Sequence, residues 1–238
     1  MKKRIAVYLL IFISTFLCYQ YGRSLWYPVA IKVMGKQTVA DVIELHGDQT
    51  KKTFAPLFEK SGVMYPPNKL ALIAFKDSKI LEVWAANDGG EYSLITQYPI
   101  QAASGVLGPK LKEGDRQVPE GLYTISGFNP NSSYHLSMKI NYPNEFDLKH
   151  AKKEGRDQPG SNIFIHGRSA SIGCLAMGDS VIEQLFTLVH KTQARNTIVL
   201  ISPTDPSKHD LIVPNNAPVW VGELYEKIYD QYRLINKL

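Results

Sequence analysis

Cysteine is nearly absent: two in 238 residues, Cys18 and Cys174. Cys18 lies inside an apolar run, so no disulfide between the two is expected, and a framework of bridges is excluded as the source of stability. The six histidines, among them His46, His135, His150, His190 and His209, show no metal-ligand spacing. With so few cysteines no zinc site is expected either, structural or catalytic. No repeat, low-complexity tract, zinc-finger spacing or long basic helix is present, so nucleic acid is not an expected partner. No cofactor motif is visible. The net charge of +5 and pI near 9.0 suit contact with anionic surfaces such as wall polymer or phospholipid.

Long hydrophobic runs are also missing, with one exception. Lys2, Lys3 and Arg4 precede the run Ile5 to Cys18, broken only by Ser14 and Thr15. It falls short of the roughly 20 residues a membrane span needs, but the segment can extend towards Trp26. A basic flank followed by an apolar run implies export. No small-x-small pattern follows, and Leu17 precedes Cys18, which favours a signal anchor over a cleaved signal peptide or a lipoprotein. The basic flank would stay in the cytoplasm, with the chain beyond about Arg23 on the outer side of the inner membrane.

Four segments are expected: an anchor or signal peptide over 1–28, a short helical lead-in over 29–66, a β-rich catalytic domain over 67–203 and a helical tail over 204–238. In the lead-in, Thr38 can cap a helix through Leu45, and a second helix runs through Phe54, Leu57 and Phe58 to Ser61-Gly62. Strands are expected at Leu70–Phe75, Ile80–Ala85, Tyr92–Ile100, Leu122–Ile125, His135–Ile140, Ile163–Ile165 and Thr197–Ile201. Two polar stretches, Gly105–Glu120 and Asn141–Gly160, read as long surface loops. The second carries Lys149, His150, Lys152, Lys153 and Arg156, a solvated face or a hold for an anionic wall component. A helix capped by Asp179 or Ser180 runs through Val189 with an apolar stripe at Val181, Leu185, Leu188 and Val189. The last helix spans Pro218 to Leu234.

A lone thiol in an oxidising compartment is either buried and inert or kept for chemistry. In the segment Ile163 to Asp179, His166 ends a strand and Cys174 follows eight positions later, just before a helix. The intervening loop lets the chain reverse, so imidazole and thiol can approach each other. Such a pair activates the thiol, because the imidazole takes its proton and later returns it to a leaving amine. A helix N-terminus beyond Cys174 would favour its thiolate, and Gly173 permits a bend that aims amides at an oxyanion.

Ile165-His166-Gly167 followed by Ser171-x-Gly173-Cys174 resembles the active-site signature of the L,D-transpeptidase (YkuD-type) family. The resemblance runs from about Lys69 to Ser202 and includes the first hairpin and the turn Val118-Pro119-Glu120-Gly121-Leu122-Tyr123. It implies a mainly β, sandwich- or barrel-like catalytic domain with a few helices, acting on peptidoglycan stem peptides through a thioester. Cys174 would attack the carbonyl at the L-centre of the diamino acid, with His166 as base and acid. The Gly167 carbonyl would orient the ring, Gly173 and Cys174 amides would hold the oxyanion, and Ser171 would support the loop. Arg168, Tyr123 and His135 are the candidates for substrate contact; His135 faces either core or cleft. Typical members carry a second histidine before Gly-Cys and an arginine or asparagine two places after the cysteine. Here Ile172 and Ala176 stand there. The short loop and Lys139-Ile140-Asn141-Tyr142-Pro143-Asn144 resemble the YafK-like subgroup, which implies hydrolysis as an alternative to cross-linking, either as an L,D-carboxypeptidase or as an amidase releasing a wall-attached lipoprotein. A non-enzymatic, membrane-tethered wall-binding module is the alternative of another class; an unprotected thiol argues against it.

Overall fold

The computed structural model describes residues 2–237. Eight strands form one mixed sheet in the order β3-β2-β1-β8-β4-β5-β6-β7. These are β1 (Lys69–Phe75), β2 (Ile80–Ala86), β3 (Ser93–Pro99), β4 (Gly121–Ser132), β5 (His135–Ile140), β6 (Phe164–His166), β7 (Leu175–Ala176) and β8 (Thr197–Ser202). Six α-helices accompany them: α1 (Lys2–Tyr21), α2 (Arg23–Met34), α3 (Val39–Ser61), α4 (Glu145–Lys153), α5 (Asp179–Thr192) and α6 (Val221–Asn236). Helix holds more residues than strand, so the mainly β sandwich expected from sequence gives way to a mixed sheet with helices on both faces.

Near-continuous apolar runs in β1 and β8 follow from burial on two sides. In β1, Leu70, Leu72 and Ala74 join Phe54 and Phe58 of α3 and Ile182, Leu185 and Phe186 of α5 in one core. The alternate residues Ala71, Ile73 and Phe75 pack with Leu200 of β8 under Val221, Leu224, Ile228 and Tyr232 of α6 in a second. β1 and β8 run parallel, Leu70 opposite Thr197 through Phe75 opposite Ser202, and β1 with β2 forms the expected hairpin.

The two helices expected in the lead-in are one. Thr38 caps α3 through a reciprocal box with Asp41, and the helix runs on past Pro56 to a left-handed Gly62. Val42, Phe54 and Phe58 are its buried face, and packing against α5 outweighs the polar interval between them. The stretch Asn141–Gly160, read as a loop, contains α4. Asn144 accepts from the Asp147 amide while Asp147 accepts from the Asn144 amide, a box hidden in a charged run. His150, expected with the solvated cluster, is 4% exposed, stacked on Trp220 with ring centroids 4.7 Å apart.

The loop before β4 is pinned from within. Asp115 accepts from the amides of Leu111, Lys112 and Gln117 and from Lys110 Nζ at 2.5 Å. Glu120 is buried and accepts from Lys76 Nζ at 2.9 Å, the Gly108 amide and the Tyr225 hydroxyl. The Val-Pro-Glu-Gly turn thus locks its loop to β1 and α6.

The anchor expected over 1–28 falls on α1 and α2; Met1 lies outside the described residues. Among the described residues no helix is long and apolar enough to cross a membrane.

Candidate active site

β6 is three residues long and pairs with β5 on one side, Ser137 opposite His166, and with β7 on the other, His166 opposite Ala176. β7 is held in turn by residues 101 and 102, whose amide and carbonyl groups bond Ala176. Ile165 stands opposite Leu175 and His166 opposite Ala176, and Cys174 directly precedes β7. The β6–β7 pairing thus brings Cys174, at the start of one strand, near His166, at the end of the other. Both residues line one cleft of about 230 Å³ with Asn129, Ser132, Ser133, Tyr134, Ser137, Phe164 and Ile172.

His166 is 3% exposed. Its Nδ1 lies 2.6 Å from the Gly167 carbonyl. A carbonyl only accepts, so Nδ1 carries the proton and Nε2 keeps its lone pair. The Tyr134 ring sits over the imidazole, centroids 4.6 Å apart. Burial holds the imidazole below its ordinary 6.5, against the opposing pull of the Gly167 carbonyl, so His166 is neutral at pH 7.

The turn after His166 is set by glycine and by Asp179. A Cβ on Gly167 would stand 2.7 Å from the Tyr134 carbonyl oxygen and 2.8 Å from Asp179 Oδ1. The expected cap of α5 is Asp179 or Ser180; instead Gly178 occupies the cap with no side-chain bond. The Asp179 carboxylate turns back to accept the Arg168 amide at 2.8 Å and lies 3.4 Å from its guanidinium.

Cys174 is half-buried, its Sγ 4.0 Å from the Asn162 carbonyl oxygen. Burial pushes the thiol above its ordinary 9.0, and a backbone bond at Phe164 and the Lys110 ammonium oppose that only in part. The expected helix-dipole support is not there: β7 and Gly178 intervene before α5 starts at Asp179, and a dipole acts only within the first turn. Among the described residues no hydrogen bond joins Cys174 to His166, so the resting pair is a thiol beside a neutral imidazole.

Ser171 Oγ accepts from the Cys174 amide at 2.9 Å and donates to the Cys174 carbonyl at 2.6 Å. Ser104 Oγ accepts from the Gly173 amide at 2.6 Å and donates to the Arg116 carbonyl at 2.8 Å. Both amides expected to hold an oxyanion are thus engaged by serine hydroxyls, which must yield before either serves that role. Gly173 itself has φ +86°, a left-handed conformation that glycine adopts without strain.

Three expected contacts lie elsewhere. Tyr123 is buried, its hydroxyl donating to the Glu120 carbonyl, and it borders a separate cavity of about 310 Å³ between β4, α4 and α6. Arg168 is paired with Asp179 and does not line the cleft. His135 points to Glu183 at 2.6 Å instead of into the cleft. Missed in the sequence were Tyr134, Ser104 and Asp179. Tyr134 adjoins a residue already singled out; Ser104 lies 69 positions from Gly173, and no local pattern marks it.

The model of the YkuD family, the L,D-transpeptidase catalytic domain, matches residues 70–208. The chain belongs to that family. It is 35% identical over 117 residues to "Putative L,D-transpeptidase YafK" of Escherichia coli strain K12, and equally to that of strain O157:H7. The match covers 48% of this chain and 45% of the relative, so the chain spans about half the length of the curated relatives it matches. Among solved structures, the helical cell shape determining protein Pgp2 of Campylobacter jejuni is 24% identical with a TM-score of 0.47, over 58% of this chain and 48% of that one. Bd1075 of Bdellovibrio bacteriovorus is 21% identical with a TM-score of 0.43, over 73% and 57%.

Proposed function

We propose that this chain is a cysteine acyltransferase of the cell envelope that acts on peptidoglycan stem peptides at the L-centre of the diamino acid. The observation that carries the reading is a half-buried thiol and a neutral, Nδ1-protonated imidazole lining one cleft. His166 Nε2 takes the Cys174 proton as sulfur attacks the carbonyl carbon, and the electron pair moves to the carbonyl oxygen. Collapse expels the D-amino acid, whose nitrogen receives the proton from His166, and leaves a thioester. An incoming amine, activated by the same imidazole, then takes the acyl group, either cross-linking two stems or attaching a protein.

Water as acceptor is the second reading, favoured by the polar side of the cleft, where Asn129, Ser132, Ser133 and Ser137 face the pair. The product is then a shortened stem or a released wall-attached lipoprotein. Ile172, 70% exposed at the cleft, supplies an apolar wall where typical members carry histidine.

The place of action is the outer side of the inner membrane. Ile5, Leu9, Leu10, Phe12 and Phe16 of α1 are all exposed, an apolar surface the fold leaves uncovered, which supports attachment to lipid through this segment.

The experiment is mass spectrometry of products from disaccharide tetrapeptide and from wall fragments with and without a bound lipoprotein peptide. Cross-linked dimers identify transfer, and tripeptides or freed protein identify hydrolysis. Turnover in Cys174→Ala with correct folding would overturn the mechanism, and a wild-type chain that binds wall fragments without changing them would make it a binding module.

A further inference from the structure

Outside the cleft, three potential metal ligands meet that the sequence separates widely. His46 comes from α3, His135 from the start of β5 and Glu183 from α5. His135 Nε2 lies 2.6 Å from Glu183 Oε1, and His46 Nδ1 lies 3.4 Å from Oε2. All three donor atoms fall within 4.8 Å of one another. The imidazole planes are nearly perpendicular, at 83° with centroids 6.4 Å apart, so their inner nitrogens reach one carboxylate from different directions.

We propose that His46, His135 and Glu183 bind one zinc-class divalent ion, with the remaining position taken by water. The donor set decides the class. Two imidazole ligands disfavour magnesium and calcium, which take oxygen ligands, whereas a His2Glu set with an open position is a recognised zinc arrangement. Tetrahedral bonds of about 2.1 Å put ligand atoms roughly 3.4 Å apart; His46 stands at that distance from Glu183, and His135, at 2.6 Å, must draw back to admit an ion. Binding requires only that each imidazole hold its proton on the outer nitrogen and that the ion replace the His135–Glu183 hydrogen bond and the His46–Glu183 contact. Among the described residues no lysine or arginine forms a salt bridge with Glu183; its partners are His46 and His135.

His135 is also held at φ +74°, a conformation uncommon for a non-glycine residue, with its ring nitrogen at Glu183. The site touches the catalytic turn from behind. The Gly167 amide donates to the Leu136 carbonyl at 3.1 Å, and a Gly167 Cβ would meet His135 Cβ at 3.1 Å. An ion there would pin the start of β5, against which the His166–Gly167 turn rests, to α3 and α5. His46 lies outside residues 70–208, so the site joins the lead-in helix to the family domain.

The test uses the untagged full-length chain, stripped with a chelator, re-equilibrated with zinc chloride and desalted. Cys174→Ser is the background, because a thiol beside an imidazole can itself hold zinc. Elemental analysis is expected to give one zinc per chain in that background and less than a tenth in the further variants His46→Gln and Glu183→Gln. A zinc concentration a hundredfold above Kd is expected to raise the Tm by about 5 °C or more in the background and by none in those variants. Circular dichroism of the metal-free variants serves as the folding control; if His46→Gln fails it, His135→Asn, which tolerates the left-handed backbone, replaces it. Substoichiometric zinc in the Cys174→Ser chain, or full zinc retained in folded His46→Gln and His135→Asn, overturns the proposal and leaves an ion-pair clamp.

Discussion

Gly167→Ala is the sharpest perturbation of the candidate site, because it adds one methyl where a backbone atom blocks it. The new Cβ would stand 2.7 Å from the Tyr134 carbonyl oxygen, 2.8 Å from Asp179 Oδ1 and 3.1 Å from His135 Cβ. The Asp179 side chain can rotate only by giving up the Arg168 amide. The Tyr134 carbonyl belongs to the turn between β4 and β5 and can move only with it. Overpacking of this kind costs about 1–3 kcal/mol, a fall in Tm of roughly 2–12 °C for a chain of this size. Whichever side gives way, the Gly167 carbonyl moves relative to His166 Nδ1, now 2.6 Å away. A displacement near 1 Å at a catalytic group costs on the order of a hundredfold in turnover. Gly127→Ala is the matched control, since no atom lies within 4 Å of its added Cβ. Thermal melts of both variants and product formation from tetrapeptide check this. A Gly167→Ala chain that melts within a degree of wild type and keeps full turnover would refute the steric argument.

The remaining expectations concern charge, burial and the amino-terminal segment. Because burial raises the Cys174 thiol, iodoacetamide alkylation of the resting chain should be slow at pH 7 and reach half its limiting rate only above pH 9.0; a midpoint below 9.0 would show a preformed thiolate. Because His166 is lowered from 6.5, the acid limb of kcat/KM should lie below pH 6.5. The unfolded chain binds the His166 proton more readily, so this residue lowers stability as pH falls below 6.5, and His166→Gln should flatten that part of a pH–denaturation series. Glu120→Gln leaves the Lys76 ammonium buried without its partner, while the Tyr225 hydroxyl loses a charged acceptor. The expected loss is about 3–5 kcal/mol by urea titration, and a loss under 1 kcal/mol would contradict it. Removal of residues 1–28 should shift the chain from the membrane to the soluble fraction after lysis.

How far the sequence spoke depended on whether a feature was local. β5 reads as His135–Ile140 in both pattern and structure, since its apolar residues are flanked by polar ones. β4 runs on to Ser132, well past the expected Ile125, because its polar second half pairs with β5 through two register shifts and carries no apolar signature. β7 is two residues long and exists only because β6 and residues 101–102 lie on either side. α4 was obscured by charge, although Asn144-x-x-Asp147 announced its start. Gly167 and Gly173 stood out beside the pair, whereas Ser104, Asp179 and the His46–His135–Glu183 group are joined only by the packing of distant elements. Spacing rules for metal ligands see neighbours along the chain and cannot see these.

The resting geometry explains why such a site can be safe in an oxidising compartment. A preformed thiolate would be the form most open to oxidation. Here burial favours the thiol over its charged form and the imidazole over its own, so moving the proton from Cys174 to His166 is uphill without a substrate. The two amides that could stabilise an oxyanion are satisfied by Ser104 and Ser171, which also hold the loop rigid. In the proposed mechanism a bound carbonyl would change both balances at once: it would offer carbon to the sulfur and an oxygen to compete for the amides, so that charge would form only where it can be used. On this reasoning Ser171→Ala has two opposed effects, freeing the Cys174 amide and releasing the carbonyl that Ser171 tethers at 2.6 Å. The tether governs the position of the nucleophile itself, so the loss should dominate, with kcat falling about tenfold or more while KM changes little. A rise in kcat would show that the serine's hold on the amide, and not loop order, limits the reaction.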